Sequence, residues 1–253
     1  AFTLAHGHAP PQSPPIGNAL FSSLYGDDRD ATELLALHRE LAGQVVPAAE
    51  PRRQWPRDPA PDRPLRVGYV SPDLRSHPVS FFFEPILTHH DPADVTTICY
   101  SSSPPDEITA RLRRHAGLWR DTFGKSDANL LAEIEADQVD ILVDLSGHTA
   151  QNRASVFRAR PAPVQVLYIG YPGTTGLPEI DWIVADAQVC PPGYERFYSE
   201  RVARVDGSFW CWRPPRSAGR NAVRPALTVM PTARFSASAL SEIEAAARMA
   251  ASV

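Results

Sequence analysis

The sequence contains almost no lysine, few cysteines and no long apolar run. Lys125 is the single lysine among 25 lysine and arginine residues, and the formal net charge at pH 7 is −4. The arginines are scattered along the chain rather than gathered in one segment. Proteins that bind nucleic acid or an anionic membrane surface cluster their positive charge on one face. We therefore expect no nucleic acid and no membrane as partner.

The three cysteines, Cys99, Cys190 and Cys211, share no spacing typical of metal ligands. Such an odd and sparse set argues against a disulfide framework and is typical of a reducing cytosol. No run approaches the roughly 18 apolar residues of a membrane-spanning helix, and the first residues do not have the pattern of a signal peptide. We therefore expect a cytoplasmic chain without a cysteine metal site. We also expect no other metal site and no cofactor.

Composition divides the chain into four regions, of which the first two precede the main pattern. Residues 1–46 combine a Pro-, His- and Ala-rich start, expected to be unordered, with two short helical patterns. These patterns are compatible with the end of a helical repeat region, and Asp30 is placed to cap the second helix. Residues 47–64 carry six prolines and many charges, which is typical of a linker.

Residues 65–213 alternate between strand and helix patterns. Short, nearly continuous apolar runs predict strands at Leu65–Val70, Val95–Tyr100, Val139–Leu145, Val164–Ile169 and Trp182–Ala185. Helical periodicity predicts helices at Pro78–His90, Asp106–Leu118 and Ser126–Gln138, with Ser126 as the N-cap of the last. This alternation predicts an α/β fold with a Rossmann-like, doubly wound parallel sheet.

Residues 214–253 form a tail of different composition, rich in Arg, Ala, Pro and Ser. Only two elements are predicted there, a strand at Ala226–Met230 and a helix at Ser238–Ala251.

Candidate site residues are the polar residues that follow the predicted strands, because open parallel sheets bind ligands outside the carboxyl ends of their strands. Asp73 and His77 follow the first strand. Ser146 to Thr149 follow the Val139–Leu145 strand, and Gly170 to Gly176 follow the Val164–Ile169 strand. We expect the three loops to converge on one edge of the sheet.

Asp73 and His77 are residue types suited to acid–base chemistry. A histidine takes up a hydroxyl proton near neutral pH, and a carboxylate orients its ring. The alternative is structural, with Asp73 capping the next helix and His77 serving as a hydrogen-bonded loop residue. His148, at a strand end, has the same two interpretations, and Asp144, inside a strand, needs a buried partner.

The glycines at positions 170, 173 and 176 leave space for a ligand to approach the backbone, and turns of this kind expose N–H groups to anions. The loop matches neither the dinucleotide-binding glycine motif nor a phosphate loop with lysine. A tight connection between two strands is an equally good interpretation.

Several ordered motifs together resemble the O-GlcNAc transferases. They are Arg66–Asp73 with Ser76–Pro78, Asp140–Thr149, Arg160–Gln165 running into Gly170–Gly176, Phe197–Arg201 and Gly207–Pro214. The resemblance covers roughly residues 18–214, and the segment from Arg160 to Gly176 is its most specific part.

The resemblance implies the first half of a two-domain GT-B fold, in which two Rossmann-like halves face a cleft. It implies an inverting, metal-independent glycosyltransferase that moves GlcNAc from UDP-GlcNAc to Ser or Thr of proteins; a plant branch moves fucose. A helical TPR array usually precedes this catalytic region. The UDP-sugar donor and the protein acceptor are thus the partners that the resemblance implies.

By motif position the resemblance assigns a catalytic role to His77 and Asp73, with His77 as a hypothetical base. Substrate-binding positions are Pro78, His148, Thr149, Gly170, Tyr171, Pro172, Gly173 and Thr174. His148 lies where animal members have tyrosine.

The motif match stops at about Pro214, before the half that supplies most UDP contacts in this family, including a lysine near the diphosphate. We therefore expect a truncated chain that transfers no sugar by itself. One alternative is a non-enzymatic remnant that serves as a protein-interaction module or is a pseudogene product. Another is a different nucleotide-sugar enzyme with a single Rossmann-like half.

Overall fold

Seven parallel strands form one sheet in the computed structural model, which describes residues 14–45, 55, 63–211 and 237–251. The strands are β1 Leu65–Ser71, β2 Val95–Ser101, β3 Leu118–Asp121, β4 Ile141–Asp144, β5 Val164–Leu167, β6 Trp182–Ala185 and β7 Arg201–Arg204. They lie in the order β3-β2-β1-β4-β5-β6-β7, and each neighbouring pair is parallel.

Helices cover both faces of this sheet. They are α1 Pro14–Ser23, α2 Ala31–Val45, α3 Pro78–Leu87, α4 Glu107–Arg113, α5 Asp127–Ala136, α6 Ala154–Arg158 and α7 Ala237–Ala251, with a 3-10 helix at Glu195–Phe197. Side chains of α3, α4 and α7 share a core with Val67 and Tyr69 of β1. Side chains of α1, α2, α5 and α6 share the opposite core with Val70. This doubly wound arrangement confirms the predicted fold class.

The strand order reverses between β1 and β4. From β1 the chain builds outward through β2 to β3, and it then returns to place β4 on the other side of β1. In open α/β sheets the carboxyl ends of the strands at such a reversal form a crevice where ligands bind. The loops after β1 and β4 are therefore the expected position of a site.

Two edge strands were not predicted, and one helix was predicted too long. The helix expected to extend to Leu118 ends at Arg113, and Leu118 begins β3. All four residues of β3 remain partly or fully exposed, and in β7 only Ala203 is buried. Edge strands of this kind lack the apolar run that identifies a central strand. The short helix α6 was also not predicted, and α3 ends at Leu87 instead of His90.

Helices α1 and α2 pack on the sheet, with Ile16, Leu20 and Leu41 in the core that contains Val70. Asp30 caps α2 as predicted, since its carboxylate accepts hydrogen bonds from the backbone N–H groups of Thr32 at 2.8 Å and Glu33 at 2.9 Å.

The entry into β1 is fixed by an ion pair. Arg63 donates to both carboxylate oxygens of the fully buried Asp140, at 2.7 and 2.8 Å, and Asp140 also accepts from the backbone N–H of Arg66 at 2.8 Å. Trp55 donates its indole N–H to the carbonyl of Arg160 at 3.1 Å. The other linker residues up to position 62 lie outside the described residues.

The predicted tail helix is confirmed as α7, which buries Ile243 and Ala247 on the sheet face beside Ala203. The predicted strand at Ala226–Met230 lies outside the described residues. Within the described ranges, no helix is long and apolar enough to cross a membrane.

Candidate functional site

The loops after β1, β4 and β5 meet at one edge because these strands are neighbours. Backbone hydrogen bonds extend the pairing past the strand ends, from Leu145 N–H to Val70 O at 3.1 Å and from Tyr168 N–H to Asp144 O at 3.0 Å. The structure therefore brings Asp73 and His77, Ser146 to Thr149, and Gly170 to Thr174 to the same side of the molecule.

Asp73 and His77 lie close together after β1. The His77 Nε2 atom is 3.7 Å from Asp73 Oδ1, and the side chains are 35 % and 11 % exposed. Burial raises the pKa of the Asp73 carboxyl, while the positive charges of His77 and Arg75 lower it. The pair thus combines a solvent-accessible imidazole with a carboxylate that holds a proton more readily than an exposed one.

His77 is also the N-cap of α3. Its Nδ1 atom accepts a hydrogen bond from the backbone N–H of Val79 at 3.3 Å, and Pro78 occupies the first turn. Asp73 does not cap this helix, so that structural alternative is wrong for Asp73. Instead, the backbone carbonyl of Asp73 accepts a hydrogen bond from Ser80 Oγ at 2.7 Å.

This capping bond fixes the protonation pattern of a neutral His77. An Nδ1 atom that accepts a hydrogen bond carries the lone pair, so the proton of the neutral ring is on Nε2. His77 therefore presents an N–H donor on the side of Asp73. Taking up a second proton at Nδ1 breaks the capping bond.

His148 is buried, in contrast to His77. Only 3 % of the residue is exposed, and its Nε2–H donates to the carbonyl of Thr175 at 2.6 Å. Burial lowers the pKa of His148 to about 4. At neutral pH the ring is uncharged and bonded to its own chain.

The glycine loop approaches protein rather than open space. A Cβ atom on Gly170 would collide with the carbonyl oxygen of Leu145, and one on Gly173 would lie 2.8 Å from the side chain of Leu24. Gly176, at φ +73°, lies against the backbone of His38. Gly170 and Gly176 are required by their close approach to the backbone of Leu145 and His38, whereas Gly173 contacts only the end of the flexible Leu24 side chain.

Tyr171 and Thr174 are held from two sides. The buried Tyr171 hydroxyl is 2.6 Å from His38 Nε2. Thr174 Oγ1 donates to Glu200 Oε2 at 2.7 Å, and the backbone N–H of Thr175 donates to Glu200 Oε1 at 2.7 Å. Pro172 is the exposed residue of this stretch.

Glu200 was not predicted as a site residue, although it fixes the loop. It is 4 % exposed, and burial raises the pKa of its carboxyl while bonds from Thr175 and Thr174 lower it. The available signal was its place in the Phe197–Arg201 motif, but spacing alone does not connect Glu200 to a loop 25 residues earlier.

Asp144 and Thr149 stabilise the loop after β4. Asp144 Oδ1 accepts from the backbone N–H of Ser146 at 2.8 Å, which supplies the buried partner expected from the sequence. Burial raises the pKa of Asp144 to about 7. Thr149 Oγ1 donates to the carbonyl of Ser146 at 2.9 Å, and its side chain remains half-buried.

The predicted site residues therefore fall into two groups. One group is partly or fully exposed to solvent and comprises His77, Pro78, Thr149, Gly170 and Pro172. The other group is buried within the chain and comprises His148, Tyr171, Gly173 and Thr174. Asp73 is the partly accessible partner of His77. Across the described ranges, no three His, Cys, Asp or Glu residues are placed to hold a metal ion.

Comparisons with known proteins agree on one family. The model of glycosyl transferase family 41 matches residues 27–212. A protein of Solanum lycopersicum named a probable UDP-N-acetylglucosamine–peptide N-acetylglucosaminyltransferase SPINDLY is 39 % identical over 216 residues, which are 83 % of this chain and 23 % of the relative. Its Arabidopsis thaliana counterpart is 35 % identical, over 83 % of this chain and 24 % of the relative.

A solved structure shows the same fold. A mutant O-GlcNAc transferase of Thermobaculum terrenum matches with a TM-score of 0.76 and 36 % identity, over 81 % of this chain and 39 % of that one. The chain thus spans about a quarter of the length of the curated relatives and two fifths of the solved structure. Since the family model covers most of the chain and its strand-end loops, the chain belongs to glycosyl transferase family 41.

Proposed function

We propose that the chain forms the acceptor-facing half of a catalytic region that transfers GlcNAc from UDP-GlcNAc to Ser or Thr hydroxyls of proteins. The observation that carries this proposal is the Asp73–His77 pair, 3.7 Å apart, at the carboxyl edge of β1 beside the strand reversal. It lies within the segment that matches the family. The three free cysteines support a cytoplasmic site of action.

The chemistry assigned to the pair is removal of the acceptor proton. A bond forms between the hydroxyl oxygen and C1 of the sugar, the bond from C1 to the diphosphate breaks, and UDP leaves with the electron pair. The hydroxyl proton passes to the pair. Asp73 accepts it, because the Nδ1 atom of His77 is occupied by the capping bond, and the Nε2–H of His77 donates to an acceptor or sugar oxygen.

The diphosphate side of the reaction needs donors or cations directed at its developing charge. Of the loop predicted to approach the phosphates, Gly173 and Gly176 pack against α1 and α2. We therefore assign the diphosphate contacts to residues outside residues 65–211. The expectation that this chain alone transfers no sugar stays a prediction.

The proposal is tested in a chimera in which residues 65–211 replace the residues of the Thermobaculum terrenum enzyme that align with them. We expect transfer from UDP-GlcNAc to a protein acceptor, and we expect Asp73→Asn to reduce kcat by roughly 100-fold or more. His77→Asn is the matched variant that keeps a capping side chain. Full transfer by the Asp73→Asn, His77→Asn double variant would refute the assigned pair.

A calorimetric titration of the purified chain with UDP tests whether the nucleotide contacts lie outside residues 65–211. Absence of binding agrees with a donor site formed by other residues. Micromolar binding would show that this half carries the nucleotide site, and the assignment of the diphosphate contacts would then be wrong.

A protein-interaction module is the second candidate function, and exposed aromatic residues favour it. Phe81 and Trp210 are each 43 % exposed, and Phe82 packs against Trp210 in a tilted arrangement with ring centroids 4.5 Å apart. Exposed apolar surface of this kind is typical of binding surfaces. A chain that is monomeric and monodisperse at high concentration, together with an active chimera, would favour the enzymatic function.

A further inference from the structure

A buried cluster of three rings joins the N-terminal helices to the strand-end loops. His38 of α2, Tyr171 of the loop after β5 and His148 of the loop after β4 have ring centroids 5.3 to 6.0 Å apart. His38 is fully buried, and His148 and Tyr171 are nearly so. This junction is formed by side chains from three separate segments and involves neither Asp73 nor His77.

The hydrogen bonds of this junction suit neutral histidines. His38 Nδ1 is 2.7 Å from the carbonyl of Leu34, so Nδ1 carries the proton and Nε2 accepts from the Tyr171 hydroxyl at 2.6 Å. His148 Nε2–H donates to Thr175 O. A second proton on His38 would make Nε2 the donor to the Tyr171 hydroxyl, whose own proton would then lose its acceptor. A charge on either ring would lie in a dry interior about 6 Å from the other ring.

Few charged groups face this junction to compensate such a charge. The sequence of α1 contains no ionisable side chain. The groups on the remaining elements are Glu33, Arg39 and Glu40 of α2 itself, Glu195 and Arg196 of the 3-10 helix packed against α2, Asp144 before His148, and Glu200 behind Thr175. Glu200 opposes acid release, since burial raises the pKa of its carboxyl and it takes up a proton as the pH falls.

The faces of α1 and α2 that pack on the sheet are apolar. Leu41 and Ala42 of α2 and Ile16 and Leu20 of α1 are buried on the sheet face. The same helices close over Gly173 and Gly176. Separation of α1 and α2 would therefore uncover both the apolar face and the back of the glycine loop.

We propose that the His38–Tyr171–His148 cluster is an acid-sensitive latch that holds α1 and α2 against the loops after β4 and β5. Protonation of the two histidines releases the helical pair while the sheet stays folded. This inference does not rest on the proposed function, because His148 and Tyr171 are buried and bonded within the chain and the test measures only the attachment of the helices.

The size of the effect follows from proton linkage. Burial lowers the pKa of both His38 and His148, and the value for His148 is about 4. With an ordinary pKa of about 6.5 in the open state, His148 alone makes the opening equilibrium roughly 30-fold larger at pH 5 than at pH 7.5. A second titrating ring increases this ratio further.

The test is hydrogen–deuterium exchange of the full chain at pH 7.5 and pH 5, with rates corrected for intrinsic exchange. We expect amides of Ala31–Val45 to open at least 10-fold more at pH 5, while amides of β1 and β4 are unchanged. The double variant His38→Gln, His148→Gln should lose this pH dependence, because glutamine offers similar donors and acceptors but does not titrate. His89→Gln, at an exposed helix end, is the control.

Two further measurements keep the proposal open to refutation if the double variant fails to fold. Tyr171→Phe removes the hydroxyl but keeps both histidines, so opening should increase at both pH values with the pH ratio retained. Ring NMR signals of His38 and His148 in the unmodified chain should stay neutral until α2 opens. The proposal would be overturned if the exchange of α2 amides increased at pH 5 as much in the double variant as in the unmodified chain. It would also be overturned if the rings of His38 and His148 titrated with midpoints near 6.5 while α2 stayed closed.

Discussion

At the N-terminus of α3, a single imidazole serves both the backbone and the proposed chemistry. His77 accepts the N–H of Val79 and faces Asp73 with its other nitrogen. The two roles are separable by substitution, because asparagine is a favoured N-cap and alanine is not.

We expect His77→Ala to lower the free energy of unfolding by about 0.5 to 2 kcal/mol, since the Val79 N–H loses its acceptor. His77→Asn should leave the stability of the chain nearly unchanged. Urea unfolding followed by circular dichroism measures both, with Ser76→Ala at an exposed neighbouring position as the control. Equal losses for Ala and Asn would show that the capping bond does not stabilise the helix.

The glycine loop shows what residue patterns leave open. Its position after a central strand was predictable, because the Val164–Leu167 strand is apolar except for Gln165 and is buried throughout. Its surroundings were not, because the groups behind Gly173 and Gly176 are Leu24 and His38, more than 130 residues earlier in the chain. A glycine required by a ligand and one required by a distant helix look identical in sequence.

Among the secondary-structure elements, burial on both faces decided which strands the sequence revealed. The strands β1, β4 and β5 are flanked on both sides and covered above and below, so most of their side chains are apolar. At the edges, β3 and β7 need only a few apolar side chains, and Leu118, the first residue of β3, falls at the end of the helix predicted over Asp106–Leu118. Central strands are therefore predictable by composition and edge strands are not.

Helix α7 is attached to the sheet by a small contact. It lies beyond residues 27–212, which match the family, and it contributes Ile243 and Ala247 to the sheet core at 3 % and 0 % exposure. Its alanine-rich sequence favours helix, but most of its attachment depends on one large side chain.

We expect Ile243→Ala to weaken the attachment of α7 by about 2 to 4 kcal/mol, through lost burial and the cavity left on the sheet. Limited trypsin digestion should then cleave after Arg248 faster than in the unmodified chain, while cleavage elsewhere is unchanged. Ala245→Ser, on the exposed side of the helix, is the matched control. Unchanged cleavage after Arg248 would mean that Ile243 does not hold the helix.

For the molecule as a whole, buried acids and buried histidines act in opposite directions on stability. Burial raises the pKa of Asp144 to about 7 and also raises that of Glu200 and Asp73, so their contribution is present at low pH and is lost as the pH rises. Burial lowers the pKa of His148, His38 and His90. The contribution of these histidines to stability is therefore lost as the pH falls below about 6.5. Between about pH 4 and 7 the two sets oppose each other.

Asp144→Asn removes one acid from this balance. Relative to the unmodified chain, we expect its free energy of unfolding to increase with pH from about 4 to 7, by at most about 1.4 kcal/mol per pH unit, and to level off above pH 7. The amide oxygen of the asparagine can still accept the N–H of Ser146. The test therefore rests on how the difference in free energy of unfolding changes with pH, and not on its size at a single pH. Urea midpoints at four pH values measure it; parallel profiles would show that Asp144 does not titrate in this range.

The first and last described helices lie on opposite faces of the sheet, with α1 and α2 on one face and α7 on the other. A tensile force applied at residues 14 and 251 would therefore load these outer helices before it reached the strands. Helix α7, held largely by Ile243, should detach first and at low force, and the parallel strands behind it should resist as a shear-loaded unit. We therefore expect the outer helices to detach before the sheet unfolds.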